Sequence, residues 1–204
     1  MNQILNTKIV SKKAKLKNLQ IQFFISFFAL FFFLSTYFFY KVQLIKEEEL
    51  SKSFSDSYEI YKLYSEKEIT KNYIDSDILG SISIPKLNIK YPFFYGYNND
   101  LLKIAPCRFY GEMPNANSNL CITGHNYDDD RFFGRIKELI TGDQLIIEDN
   151  LKNRFIYNVF DKYEVDSNDL SPVENFDKNS CTLTLITCNN LNKKRIIIKA
   201  KLKA

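Results

Sequence analysis

The chain has 204 residues, 45% hydrophobic and 25% charged, which excludes an intrinsically disordered protein and a polytopic membrane protein. The length allows one domain with a real core plus an appendage. The net charge of +4 is mild, and much of the excess lies in the first twenty residues, so no strong basic face is left to bind nucleic acid. Residues 21–40 contain no charged side chain, and about 20 apolar residues match the hydrocarbon thickness of a bilayer at helical rise. Tyr37 and Tyr40 sit towards one end, where a membrane interface favours them. Lys8, Lys12, Lys13, Lys15 and Lys17 precede the span, whereas Glu47, Glu48 and Glu49 follow it. The positive-inside rule makes residues 1–20 a cytoplasmic basic tail and puts everything after about residue 41 outside the cell membrane. A buried core helix is usually shorter, and a cleaved signal peptide ends at small residues, whereas Ser35-Thr36 is followed here by Tyr37-Phe38-Phe39-Tyr40. An uncleaved single-pass anchor through the lipid bilayer is the expectation.

Residues 41–78 are rich in Lys, Glu, Ser and Tyr and lack Gly and Pro. Ile60, Leu63 and Tyr64 recur at helical spacing, so this segment reads as a partly helical stalk. From residue 79 to the end the pattern turns to short strands. Ser81–Ile84 alternates and stops at Pro85, and Ile89–Tyr91 leads to Pro92. Leu120–Thr123 ends at Gly124, and Gln144–Ile147 follows the turn Gly142-Asp143. Arg154–Val165 reads as one or two strands, and Thr182–Cys188 and Arg195–Leu202 are the last two. Many short strands between turn signals mean a β-sandwich or barrel. The apolar stripe of Phe132, Phe133, Ile136 and Leu139 predicts one helix over 130–139.

Four cysteines stand at 107, 121, 181 and 188. Cys181 and Cys188 lie on one predicted strand, roughly 23 Å apart at about 3.3 Å per residue, too far to bridge. A Cys107–Cys121 disulfide stays open. No C-x-x-C occurs and only one histidine exists, so no zinc motif is present.

That histidine, His125, follows the strand Leu120–Thr123. On the strand Thr182–Cys188, alternation gives one face to Leu183 and Leu185 and the other to Thr182, Thr184, Ile186 and Cys188. On the next strand Ile196, Ile198, Ala200 and Leu202 form the core face, with Arg195, Ile197, Lys199 and Lys201 opposite. The connection 189–194 has hairpin length, so Cys188 and Arg195 become neighbours on one outer face. These residues form a complete chemical set. A thiol with a pKa of about 8.5 needs activation to act as a nucleophile. An imidazole takes its proton or stabilises the thiolate, then protonates a leaving amine. A guanidinium keeps its charge and offers several donors to a developing oxyanion. Thr187 adds a hydroxyl or backbone donor beside the nucleophile, and Ile186 and Ile197 flank the expected substrate-binding surface.

Ile84-Pro85-Lys86-Leu87, Ile122-Thr123-Gly124-His125, Thr184-Leu185-Ile186-Thr187-Cys188 and Lys194-Arg195 together resemble the sortase family, from about Leu79 to the C-terminus. The resemblance implies an eight-stranded sortase β-barrel with one or two short helices, tethered outside a Gram-positive cell. Cys188 would attack the Thr–Gly bond of an LPxTG-like sorting signal near the C-terminus of a secreted protein. His125 would act as general acid and base and Arg195 as oxyanion stabiliser. The acyl group would pass to an amine of the cell-wall precursor or of a pilin, attaching a surface protein. The class resembles D, or else A. No cofactor is implied, although Asp128, Asp129 and Asp130 leave calcium as an alternative to a solvated acidic loop. Among the rivals, papain-like peptidases place Cys before His, and L,D-transpeptidases carry a Ser-His-Gly-Cys type motif absent here. A non-catalytic membrane-anchored β-domain that binds wall polymer or protein would make Cys188 a core residue.

Overall fold

The computed structural model describes residues 2–64, 78–113, 117–174, 176–177 and 179–203. The chain divides into two compact units, Met1–Glu48 and Glu49–Ala204. Helix α1 spans Asn2–Tyr64 and contains, within Lys17–Asp56, a stretch long and apolar enough to cross a membrane. The phenylalanines within residues 21–40 are exposed, Phe31 at 63% and Phe33 at 75%, the reverse of a soluble core helix. The helix runs without a break into the expected stalk as far as Tyr64; the rest of that stalk, 65–77, lies outside the described residues.

Residues 78–202 form a closed barrel of eight strands: β1 (Ile78–Ile84), β2 (Ile89–Phe94), β3 (Cys107–Tyr110), β4 (Asn119–Thr123), β5 (Gln144–Asp149), β6 (Arg154–Val165), β7 (Thr182–Cys188) and β8 (Arg195–Leu202). Around the barrel the order is β1-β2-β3-β4-β7-β8-β6-β5, with β1 pairing β5 to close it. Closure leaves no long sheet edge exposed to other chains. Two short helices, α2 (Asn99–Leu102) and α3 (Ser171–Glu174), lie in the connections before β3 and before β7.

The alternation explains the core. Ile82, Ile84, Leu120, Ile122, Leu145, Ile147, Leu183, Leu185, Ile196 and Ile198 point inward and are buried together. Pro92 pairs with Ser81 of β1 on a strand whose other neighbour, β3, meets it only at Phe94↔Cys107, an edge-like setting of the kind that accepts proline. A smaller cluster of Ile78, Phe94, Leu102, Ala105 and Cys107 takes in Phe54, whose ring stacks on Phe94 at 5.0 Å.

One sequence expectation is corrected, and the open question of a disulfide is answered. Residues 130–139 do not form an α-helix; a single 3-10 turn spans Ile136–Glu138. The apolar stripe is still buried, since Phe132, Phe133, Ile136 and Leu139 are fully covered. Local geometry forbids the helix: Asp130 and Phe132 have φ of 64° and 52°, and the Asp129 carboxylate accepts from the Arg131 N–H, competing with helical bonding. A Cβ at Gly134 would meet the Tyr127 carbonyl oxygen at 2.9 Å, so this loop folds too tightly for another residue. The Cys107–Cys121 bridge does not form, because the β3–β4 register sets Cys107 opposite Thr123 and Cys121 opposite Tyr110. Burial pushes both thiols up to about 12, so they behave as small neutral hydrophobes.

Candidate active site

Three neighbouring strands end at the same rim. β4 and β7 run parallel with Thr123 beside Ile186, and the ladder continues one residue further, the Gly124 N–H donating to the Ile186 carbonyl at 3.1 Å. His125 and Cys188 each lie two positions beyond a paired residue, on strands about 4.8 Å apart. On the other side β7 and β8 are antiparallel and Cys188 is directly opposite Arg195. Cys188 therefore stands between the strand that ends before His125 and the strand that begins with Arg195.

The contacts follow this register. Arg195 Nη1 donates to Cys188 Sγ. The Cys188 carbonyl accepts from Asn126 Nδ2 at 2.7 Å, and Asn190 Nδ2 donates to the Asn126 carbonyl at 3.0 Å, tying the two rim loops together. The His125 ring lies 5.1 Å from that of Tyr127, and the Arg131 guanidinium covers Tyr127 at 4.2 Å. Arg131 in turn pairs with Asp129 at 2.8 Å, which commits part of the acidic run to an internal ion pair. A Cβ at Gly124 would meet the Phe133 ring at 2.8 Å, so only glycine allows the backbone before His125 to pack this closely.

His125, Cys188 and Arg195 all line one cavity of about 310 Å³, the small end of ligand-binding clefts. Ile186 and Ile197 form its floor, and Tyr97, Leu102 and Phe109 one wall. Val165, Leu170, Pro172 and Val173 form the other, so the lining is largely apolar, with Asn99, Thr123, Ser167 and Asp169 its polar members besides His125, Cys188 and Arg195. The Asn98 carboxamide accepts from the Asp100 and Leu101 N–H groups and caps the helix that presents Leu102.

The outer face of β7 and β8 is less open than strand parity alone suggests. Thr182, Thr184, Ile197 and Lys199 are buried there, while Ile186, Cys188 and Arg195 stay partly exposed. Burial lowers the Lys199 ammonium from its ordinary value. Thr187 does not line the cavity: it is 2% exposed and its hydroxyl donates to the Gly124 carbonyl at 2.7 Å, which fixes the strand end carrying His125. Asn126, Asn190 and Tyr127, and the walls from 97–109 and 165–173, were not singled out from the sequence. Asn126 adjoins the lone histidine, the one local signal available.

The sortase-domain family model matches residues 82–203, more than half of the sequence. The chain belongs to the sortase family. It is 27% identical over 154 residues to sortase A of Listeria monocytogenes, covering 74% of this chain and 68% of that protein. A sortase D5 transpeptidase structure from Clostridium perfringens is 28% identical with a TM-score of 0.62, covering 76% of this chain and 99% of that one. The Listeria monocytogenes sortase A structure is 25% identical with a TM-score of 0.56, covering 63% and 88%. Sortase membership makes the rim of β4, β7 and β8 part of a cysteine-transpeptidase scaffold of the kind that anchors surface proteins.

Proposed function

We propose that this sortase cleaves an LPxTG-like sorting signal through Cys188 and transfers the acyl group to an amine of the cell-wall precursor or of a pilin. The observation that carries the reading is the Arg195–Cys188 contact at the thiol end of an apolar cleft that His125 also lines. The Cys188 thiolate attacks the threonine carbonyl carbon of the signal, forming the C–S bond. Arg195 faces the sulfur and stabilises the negative charge that builds on the carbonyl oxygen. The C–N bond to glycine breaks as His125 protonates the leaving amine. The thioacyl group remains on Cys188. An incoming amine then attacks the same carbon, His125 accepts its proton, and the thiolate leaves. Every proton and charge is handled by these side chains, so the reaction needs no metal and no cofactor.

The cleft supports the substrate side. Its apolar walls suit the leucine and proline that precede the scissile bond, and Ile186 and Ile197 supply the floor. Thr187 acts through Gly124 rather than by touching substrate. Similarity to the D5 transpeptidase at 28% identity supports class D, and the 27% identity to a sortase A keeps class A as the alternative. The basic tail ahead of the apolar helix supports a cytoplasmic N-terminus with the barrel outside.

The test is turnover. The full chain in detergent is given a panel of LPxTG-like peptides with a soluble amine. Cleavage and amide-linked product are expected, both lost in Cys188→Ala. Turnover retained by that variant excludes Cys188 as the nucleophile.

A further inference from the structure

The strand β4 carries a fully buried carboxamide, Asn119, that reaches out of the barrel wall into the β6–β7 connection. Its Nδ2 donates to the Pro172 carbonyl and to the Val173 carbonyl, both at 3.0 Å. Its Oδ1 accepts from the Thr184 hydroxyl at 2.6 Å. Asn119 and Thr184 are both 0% exposed. The orientation of the amide is unambiguous, because carbonyls only accept and must face the NH2 group.

α3 is one short turn, and the last carbonyls of any helix lack partners within it. Asn119 satisfies two of them. At the other end the Asp169 carboxylate accepts from the Ser171 N–H at 2.8 Å, a bond that holds the carboxyl below its usual range. The turn thus has a surface cap at its start and a buried clamp at its end. Pro172 and Val173, the two residues Asn119 holds, are themselves cavity-lining.

We propose that Asn119 is a positioning residue that locks the β6–β7 wall of the cleft in its substrate-binding form, with Thr184 orienting the Asn119 amide. The proposal rests on the transpeptidase reading for its kinetic consequence, although not for its structural one. The first threonine of the Thr184–Cys188 motif thereby gains a role, since its hydroxyl donates to Asn119 Oδ1 and holds the carboxamide against the two carbonyls. Asn119 touches neither thiol nor substrate. Its loss weakens binding and leaves the chemical step intact.

Asn119→Ala, Thr184→Val and the conservative Thr184→Ser are compared in the full chain by two independent readouts. Hydrogen exchange of the Val173 and Glu174 amides, both bonded to the Leu170 carbonyl, reports the wall directly. Exchange about tenfold faster or more is expected for Asn119→Ala, with β7 and β8 amides unchanged. Thr184→Val follows in the same direction and Thr184→Ser matches the wild type. Steady-state cleavage is expected to show KM raised about tenfold, equivalent to about 1.4 kcal/mol, with kcat within about twofold. The double variant Asn119→Ala/Thr184→Val is no worse than Asn119→Ala alone, since one acts through the other. Unchanged Val173 exchange in Asn119→Ala overturns the proposal. So does faster exchange spread evenly over the barrel, or a fall in kcat with KM unchanged. A wild-type chain that cleaves no sorting peptide defeats the transpeptidase reading, while the exchange arm still decides the clamp.

Discussion

Arg195→Lys keeps a positive charge opposite Cys188 and removes the guanidinium fork. In the structure Arg195 Nη1 donates to Cys188 Sγ across a directly paired position of β7 and β8. The planar fork has further donors, so one nitrogen can hold the sulfur while another meets the developing oxyanion. An ammonium is a point charge on a flexible stem, and it can serve one of these atoms at a time. Loss of a single oxyanion donor costs about 10² to 10³ in rate, or about 2.7–4 kcal/mol. Arg195→Ala is therefore expected to lower kcat/KM on an LPxTG-like fluorogenic peptide by at least that factor. Arg195→Lys recovers no more than about tenfold of the loss. The full chain in detergent is assayed with circular dichroism melting as the control for folding. A lysine variant within about threefold of wild type refutes the reasoning, because charge alone then suffices. An active alanine variant removes Arg195 from the mechanism altogether.

Thiol chemistry distinguishes the enzyme from an inert β-domain. Iodoacetamide on the folded chain is expected to label Cys188 and spare Cys107 and Cys121, whose thiols burial holds near 12; peptide mapping reads the result, and labelling confined to other cysteines contradicts it. Lys86 and Asp143 pair at 2.7 Å, and the Ile140 N–H adds a second bond to the same carboxylate. Burial by itself would raise Asp143, but these partners outweigh it and hold the carboxyl low. Its contribution is therefore present above the unfolded value near 3.8 and is lost as pH falls through the lower folded value. Asp143→Asn is expected to cost about 1 kcal/mol at pH 7 and to cost less below pH 3, measured by urea unfolding at both pH values. Chelation by EDTA is expected to leave peptide cleavage unchanged; a large loss restored by calcium would return the acidic run at 128–130 to consideration.

Strand parity made much of the barrel readable. Alternation in Ser81–Ile84, Thr182–Cys188 and Arg195–Leu202 separates core from outer face, and the same parity sends Cys188 and Arg195 outward together. β3 escaped because Cys107–Tyr110 is only four residues, interrupted by a register shift between Arg108 and Tyr110. The helix expected over 130–139 shows the limit of periodicity. The same four apolar side chains are buried by a chain bent through positive φ at Asp130 and Phe132. In the site, one strand face supplies the sulfur and the guanidinium, and a parallel neighbour leads to the imidazole. The cleft walls depend instead on how the 97–109 and 165–173 connections dock. Contacts such as Asn119 to Pro172, separated by 53 positions, leave no local pattern to read.

Intact-mass spectrometry of the full chain with an LPxTG-like peptide and no amine acceptor addresses the chemistry most directly. A covalent adduct equal in mass to the peptide fragment ending at threonine is expected, mapped to Cys188, released by hydroxylamine and absent from Cys188→Ala. Peptide cleavage without any adduct, or an adduct mapped to another residue, would contradict covalent catalysis by Cys188.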